Sequence, residues 1–328
     1  MKKHISELIL LLVFCVLLLT GCKKDVGTPE DNAINSNTNK EDEITYTFGY
    51  SCITMENPYF VTLEEAIREQ VEKEGNTLIT RDPALDVQVQ IEQIKDMISQ
   101  GIDAIFLTPV DWQAIQPAID ALKEADVKII NIDTQISDVG SVDSYIGTDN
   151  KTAGFICGQD LVEKHPDGGK IIILECPTMN SINDRITGFE EAIAEQGFEV
   201  VAREDVHGDL EKSLSKTKEL LEKNPDITAI MCGNDPSALG ALVAVNTANR
   251  KDMVIYGIDG SPDLKKELVK KDTLIAGTAA QSPINIGKTA VEVALNILNK
   301  EDYEKEIYEE TFLINKENVD MYGIDGWQ

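Results

Sequence analysis

Short, continuously apolar runs alternate with amphipathic stretches along most of this chain. Ala104–Leu107, Ile171–Leu174 and Ala229–Cys232 are apolar at every position, as expected of strands whose two faces are both covered. Between such runs lie helical patterns, among them Tyr59–Lys73 and Ile284–Leu298. This alternation predicts an α/β fold in which helices cover both faces of parallel sheets, the doubly wound arrangement.

The two halves of the chain resemble each other. Gly75 is followed by a strand, a helix and the segment Gly101–Pro109, and Gly197 is followed by a strand, a helix and the segment Pro225–Asn234. The body of the chain is also long enough for two domains. We therefore expect two similar α/β lobes.

The N-terminal residues have the pattern of a secretory signal. Lys2 and Lys3 precede the apolar run Ile9–Leu19, which is too short to span a bilayer comfortably, and small residues lead to Cys22. Leu-Thr-Gly-Cys resembles the lipobox of bacterial lipoproteins, which implies that residues 1–22 are a signal and that Cys22 becomes a lipid anchor. An ordinary cleaved signal is the alternative. The expected location is extracytoplasmic, on the bacterial cell membrane.

Residues 23–43 are predicted to form a disordered tether, because Asp25–Asp42 contains almost nothing apolar. The formal net charge of the whole chain is −28, and no basic cluster interrupts the acidity. Nucleic acid and anionic membrane surfaces are therefore poor partners. Acidity alone indicates a solvated surface and identifies no ligand.

Cysteines and histidines predict neither a metal site nor a cofactor. After removal of the signal, His165 and His207 remain, and neither has a partner at ligand spacing along the sequence. The other cysteines of the mature chain lie in apolar stretches and are expected to be buried thiols: Cys52, Cys157, Cys176 and Cys232. The sequence leaves open whether Cys176 and Cys232 are free or lie close together.

Several strand-to-helix junctions place a capping side chain before a proline. They are Asn57-Pro58, Asp235-Pro236, Ser261-Pro262 and Ser282-Pro283. Such a pair begins a helix, and in a parallel sheet these junctions lie at the carboxyl edge, where ligands bind. We therefore expect the functional site beside them.

Six polar residues fall at or near these predicted edges: Asn57, Asp133, Arg185, Asn234, Asp259 and Gln281. Taken singly, each has an ordinary explanation as a helix cap, a turn residue or a surface residue of a helix. Together they combine carboxylate acceptors, a guanidinium donor and amides that do both, which suits the hydroxyl groups of a sugar.

The motifs around these residues resemble the ribose-binding group of periplasmic binding proteins over roughly residues 44–305. The matching segments, in chain order, are Asn57-Pro58-Tyr59-Phe60, Ile130-Asn131-Ile132-Asp133, Arg185-Ile186-Thr187-Gly188-Phe189, Gly233-Asn234-Asp235, Gly257-Ile258-Asp259-Gly260 and Ala280-Gln281. The resemblance implies that Tyr59 and Phe60 supply stacking rings and that the polar residues bind hydroxyls. It also implies two lobes joined by three hinge strands, the type I arrangement.

The resemblance implies lobes formed from discontinuous segments. Residues 44–148 and 282–306 would form the N-terminal lobe, and residues 149–281 and 307–328 the C-terminal lobe. The implied function is capture of a neutral monosaccharide or polyol and its delivery to an ABC permease by a monomer held at the membrane by its N-terminal lipid. Delivery to a membrane kinase or chemoreceptor is an alternative. An exported enzyme is disfavoured, because no catalytic motif accompanies the carboxylates.

The chain departs from the ribose-type pattern at four places. Thr108 stands where the pattern has an asparagine, Thr134 where it has an arginine, Ile258 where it has an aromatic residue, and an aromatic residue is also missing near His207. Arg185 is then the one matched cation and is predicted to carry the most binding free energy. Thr108 and Trp112 complete the predicted ligand-binding set, with Trp112 expected to replace the lost aromatic surface at the cleft mouth.

Overall fold

The computed structural model describes residues 45–328. The predicted signal, the predicted anchor residue Cys22 and the predicted tether lie outside the described residues. Within the described part of the chain, no helix is both long and apolar enough to cross a membrane.

The first sheet has six strands, all parallel, in the order β2-β1-β3-β4-β5-β11. Its strands are β1 (Thr47–Ser51), β2 (Thr77–Arg81), β3 (Ala104–Leu107), β4 (Lys128–Ile132), β5 (Ser144–Thr148) and β11 (Glu306–Glu309). The four residues of β3 are all fully buried, as their continuous apolarity predicts.

The second sheet also has six strands, in the order β7-β6-β8-β9-β10-β12, and all pairs are parallel except β10 with β12. Its strands are β6 (Gly169–Glu175), β7 (Phe198–Asp205), β8 (Ala229–Cys232), β9 (Val254–Asp259), β10 (Ile275–Ala280) and β12 (Leu313–Asn315). The two sheets share the same order of crossovers, which agrees with the internal resemblance in the sequence.

Helices cover both faces of each sheet. The first lobe consists of the first sheet with α1 (Pro58–Lys73), α2 (Val87–Ser99), α3 (Gln116–Glu124) and α9 (Pro283–Asn299). The second lobe consists of the second sheet with α4 (Asn150–Lys164), α5 (Asn180–Ile193), α6 (Leu210–Lys223), α7 (Asp235–Thr247), α8 (Pro262–Leu268) and α10 (Val319–Tyr322). The predicted doubly wound α/β fold with two lobes is confirmed.

The chain passes between the lobes three times. It leaves the first sheet after Thr148, leaves the second sheet after Ala280, and passes from β11 in the first sheet to β12 in the second. Helix α9 packs against α1 and β4, so the segment after the second crossing belongs to the first lobe. The third crossing lies between Glu309, the last residue of β11, and Leu313, the first residue of β12.

The predicted caps form at three of the four junctions, with one change of residue. Asn57 Oδ1 accepts the Tyr59 N–H at 3.0 Å, and Ser261 Oγ accepts the Leu264 N–H at 3.3 Å. At the third junction the cap is Asn234 rather than the following aspartate. Ser282 makes no capping hydrogen bond, because its hydroxyl donates to the carbonyl oxygen of Gln328 instead.

Candidate functional site

A cavity of about 740 Å³ lies between the lobes, lined by residues of both. Its walls include loops at the carboxyl ends of the strands, where an open parallel sheet binds ligands. Eight of the ten residues predicted from the sequence to bind the ligand line this cavity: Asn57, Tyr59, Phe60, Asp133, Arg185, Asn234, Asp259 and Gln281.

The lobes touch each other beside the cavity. The backbone N–H of Trp112 in the first lobe donates to the Thr178 carbonyl oxygen of the second lobe at 3.1 Å. The hydroxyls of Thr134 and Ser181 are hydrogen-bonded across the cleft at 2.6 Å, with both side chains buried. The structure is therefore a closed arrangement of the two lobes.

Arg185 projects from α5 and is held by the second lobe. Its Nε donates to Asn150 Oδ1 at 2.7 Å, its Nη1 donates to the Gly233 carbonyl oxygen at 2.9 Å, and Nη1 lies 3.7 Å from Asp259 Oδ1. The Arg185 side chain is 4% exposed. A guanidinium has five N–H donors, so three remain for other partners.

Close packing of α4 against α5 fixes the backbone that carries Arg185. A Cβ added at Gly154 would lie 1.7 Å from the Arg185 carbonyl oxygen, and one added at Gly188 would lie 1.9 Å from the Lys151 carbonyl oxygen. Only glycine leaves room for this approach. The glycines therefore bring Arg185 beside Asn150 at the start of α4.

Asp259 ends β9 beside the guanidinium. Gln281 Nε2 donates to its Oδ1 at 2.8 Å, and the Asp235 N–H approaches its Oδ2 at 3.3 Å. Burial raises the pKa of Asp259, and the neighbouring Asp235 carboxylate raises it further, whereas Arg185 and Gln281 act in the opposite direction. Among the described residues, the site thus places one guanidinium beside buried carboxyl groups.

Asp235 is a buried carboxylate that the sequence patterns assigned only to a helix start. Its Oδ1 accepts from the Thr278 hydroxyl at 2.7 Å, and its Oδ2 accepts the Ser261 N–H at 2.7 Å. Burial raises its pKa, and these hydrogen bonds oppose the rise. Asp235 does not line the cavity, so it supports the loop that carries Asp259 from behind.

Asp133 ends β4 in the first lobe with a left-handed backbone, φ 63°. Its Oδ2 accepts from the Thr134 hydroxyl at 3.2 Å, whereas its Oδ1 is buried and has no hydrogen-bond partner among the described residues. Burial raises the pKa of Asp133, and Arg185 opposes the rise. Asp259 also has a positive φ, 150°. Such strained conformations cluster at functional sites.

Asn57 and Asn234 lie in different lobes, and each caps a helix at the cavity. Asn234 Oδ1 accepts the Ser237 N–H at 3.0 Å, and its Nδ2 donates to the Gly208 carbonyl oxygen at 2.9 Å. The ordinary explanation of these residues as caps is correct, and both still line the cavity.

Two of the predicted ligand-binding residues do not line the cavity, and this corrects the sequence-based expectation. The Thr108 hydroxyl is fully buried and donates to the Ile132 carbonyl oxygen at 3.1 Å. Trp112 lies in a turn before α3, because Asp111 Oδ1 accepts from the backbone N–H groups of Gln113 and Ala114 while the helix begins only at residue 116. That turn brings the Trp112 backbone N–H to its hydrogen bond with Thr178 of the other lobe.

The tryptophan that lines the cavity is Trp327. Its ring lies edge-on to the Tyr59 ring, with centroids 5.7 Å apart. Ser181 also lines the cavity and was not predicted. No local pattern could have identified Trp327, because its position depends on contacts with residues far away in the sequence.

The thiols and histidines show one grouping that their spacing did not predict. Ligand atoms of Cys176, Asp205 and His207 lie within 4.8 Å of one another. Asp205 Oδ1 accepts the His207 backbone N–H at 2.9 Å, and the Cys176 Sγ lies 3.3 Å from the Thr178 hydroxyl. Burial raises the pKa of Cys176 to about 11, so its thiol is neutral near pH 7. The four cysteines of the described region are buried and free.

Comparisons with known proteins agree with this architecture. A family model described as a periplasmic binding protein domain matches residues 48–302. The ribose import binding protein of Bacillus subtilis (strain 168) is 34% identical over 308 residues, which cover 94% of this chain and 97% of that protein.

Two solved structures share the fold over most of the chain. An ABC transporter solute binding protein from Mycobacterium smegmatis with bound glycerol has a TM-score of 0.80 at 26% identity, covering 84% of this chain and 96% of that one. A periplasmic solute binding protein from Actinobacillus succinogenes with bound D-allose has a TM-score of 0.77 at 26% identity, covering 84% and 100%.

These relatives are binding proteins of transport systems, which confirms the prediction that the chain is not an enzyme. The chain belongs to the periplasmic binding protein family and is a ribose-binding-like member of it.

Proposed function

We propose that this protein is an extracytoplasmic lipoprotein that captures a neutral monosaccharide or polyol between its lobes and delivers it to an ABC permease. The relatives support the class of ligand, because one is named for ribose import and two solved structures hold glycerol and D-allose. The cavity supports it independently, through the chemistry of its lining.

The observation that carries the proposal is a set of buried polar atoms that lack partners at the cavity. Asp133 Oδ1 and Gln281 Oε1 are buried acceptors without a hydrogen-bond partner among the described residues. Arg185 has N–H groups to spare beside them. A buried polar atom is costly unless it is hydrogen-bonded. Hydroxyl groups of a polyol can donate to both acceptors and accept from the guanidinium.

The charge of the lining favours a neutral ligand. Six carboxylate side chains line the cavity within the described residues, against a single guanidinium and no lysine: Glu56, Asp133, Asp209, Glu211, Asp259 and Asp263. An anionic ligand would be repelled by this excess of like charge. A sugar phosphate or a sugar acid should therefore bind much more weakly than the corresponding neutral sugar.

Capture of a ligand between the lobes requires that the lobes open and close. The cavity is closed by direct contacts between the lobes, and three crossings of the chain connect them. Hinge closure about such connections is a known transition of binding proteins. We infer that the protein opens about the three crossings and that the ligand stabilises the closed form.

A thermal-shift screen of the mature chain with Cys22→Ser tests the binding function. The panel contains D-ribose, D-allose, glycerol and myo-inositol, with ribose 5-phosphate as the anionic control. A neutral ligand at a hundred times its dissociation constant should stabilise the protein by about 2.7 kcal/mol. Stabilisation by none of the neutral compounds, or an equal effect of the phosphate, would contradict the proposal.

Membrane attachment is tested separately by fractionation of bacterial cells. The full chain should sediment with membranes, and the Cys22→Ser variant should lose that attachment, because the thiol is the acylation site that the lipobox resemblance implies. An identical distribution of the two proteins would leave the binding function intact and rule out the anchor.

A further inference from the structure

Trp327 is held at the cavity by backbone contacts on either side of it. Lys265 Nζ, on α8, donates to the Gly326 carbonyl oxygen at 2.6 Å, and the Ser282 hydroxyl at the second crossing donates to the Gln328 carbonyl oxygen. Lys265 is fully buried, although lysine is almost never so. The segment 325–328 is therefore fixed to the second lobe and to a lobe crossing.

The indole reaches across to the first lobe. Its ring lies edge-on to Tyr59 of α1, with centroids 5.7 Å apart and planes at 74°, and both residues line the cavity. The lining also contains the rings of Tyr59 and Phe60, and both residues belong to α1. Among the described residues, Trp327 is thus the large aromatic ring that the second-lobe side contributes, next to the smaller imidazole of His207.

We propose that Trp327 is a specificity-determining residue whose indole packs against the C–H face of a ring sugar, so that the site selects ring sugars over open-chain polyols. This inference rests on the proposed function. The polar groups of the cavity can satisfy the hydroxyls of either kind of ligand. A ring sugar additionally presents a contiguous face of C–H groups, which matches the negative face of an aromatic ring.

A purely structural role for Trp327 makes a different prediction. If the indole only holds the segment 325–328 against Tyr59, its loss would weaken the binding of every ligand by the same factor. If it contacts the C–H face, its loss would weaken ring sugars selectively. The ratio of the dissociation constants for a ring sugar and its open-chain counterpart separates the two roles, because loosening of the segment cancels in that ratio.

The test uses calorimetric titration with D-ribose and ribitol, and with D-allose and allitol. Trp327→Leu should weaken binding of the better ring sugar about tenfold and of its alditol by less than about threefold. Trp327→Phe keeps a ring and should largely restore selectivity, which also covers the case that the leucine variant does not fold. Trp112→Leu removes the tryptophan outside the cavity and is the matched control.

Fluorescence gives an independent readout, because the chain contains two tryptophans. The sugar-induced change should survive Trp112→Phe and disappear in Trp327→Phe. An unchanged ratio of dissociation constants in Trp327→Leu, a wild-type protein that binds only open-chain polyols, or a fluorescence change that depends on Trp112 would overturn the inference and leave the proposed function standing. Failure of wild type to bind any neutral ligand would overturn both.

Discussion

Replacing Arg185 with alanine should weaken sugar binding more than any other single polar substitution in the cavity. The guanidinium donates to Asn150 and to the Gly233 carbonyl oxygen, lies 3.7 Å from an Asp259 oxygen and keeps three N–H groups free. With 4% of the side chain exposed, solvent does not screen these interactions. Its removal takes away the one guanidinium that lines the cavity within residues 45–328, beside two buried carboxyl groups.

The magnitude follows from this burial. Truncating one member of a buried, hydrogen-bonded charge pair costs about 2–5 kcal/mol of binding free energy. That range corresponds to a loss of affinity from roughly thirtyfold to several thousandfold. Arg185→Lys keeps the charge but not the planar fork of donors, so it should fall between wild type and Arg185→Ala.

Calorimetry with the best sugar of the panel measures the effect, and thermal unfolding of the ligand-free variants shows whether they remain folded. Arg203→Ala is the matched control, because Arg203 forms ion pairs with Glu175 and Glu190 outside the cavity and should leave affinity unchanged. Less than a tenfold loss in a folded Arg185→Ala variant would refute the reasoning, as would an equal loss in both alanine variants.

Gly154→Ala should lower the free energy of unfolding in urea by roughly 1–3 kcal/mol, since its Cβ would lie 1.7 Å from the Arg185 carbonyl oxygen; an unchanged midpoint would exclude this. Burial raises the pKa of Asp259, so its carboxyl group stays protonated to a higher pH in the ligand-free folded protein than in the unfolded chain. The folded protein therefore loses stability as the pH rises above about 4. In thermal scans at a series of pH values, the melting temperature of Asp259→Asn should fall less steeply with rising pH than that of wild type. Parallel plots of melting temperature against pH for the two proteins would contradict this prediction. Thr134→Val removes the hydrogen bonds to Ser181 and to Asp133 and should weaken sugar affinity about two- to tenfold by calorimetry; unchanged affinity would exclude a role in closure.

The fold was largely predictable because the central strands of each sheet carry their own signal. A run such as Ala104–Leu107 is apolar at every position, and it becomes a strand buried on both faces. The site was predictable to the extent that it lies at strand ends. Asp133 follows β4 and Asp259 is the last residue of β9, so the parallel topology alone brings them to the carboxyl edges that face the cavity.

The errors concern residues whose positions depend on distant contacts. Trp112 follows a capping aspartate, but the helix begins later and the turn leads its backbone to the other lobe. Trp327 has no periodic context, and its place depends on Lys265, 61 residues earlier than the Gly326 carbonyl that it binds. Local sequence patterns carry no information about such pairings.

The three crossings between the lobes affect the order in which the polypeptide can fold. Strand β11 and helix α9 belong to the first lobe, although they follow the whole of β6 to β10 in the chain. A nascent chain that ends before Pro283 therefore lacks both an edge strand of its first sheet and the helix that packs on α1. Contacts of such long sequence separation form slowly. We expect refolding to complete both lobes in one late step, after nearly the entire chain is available.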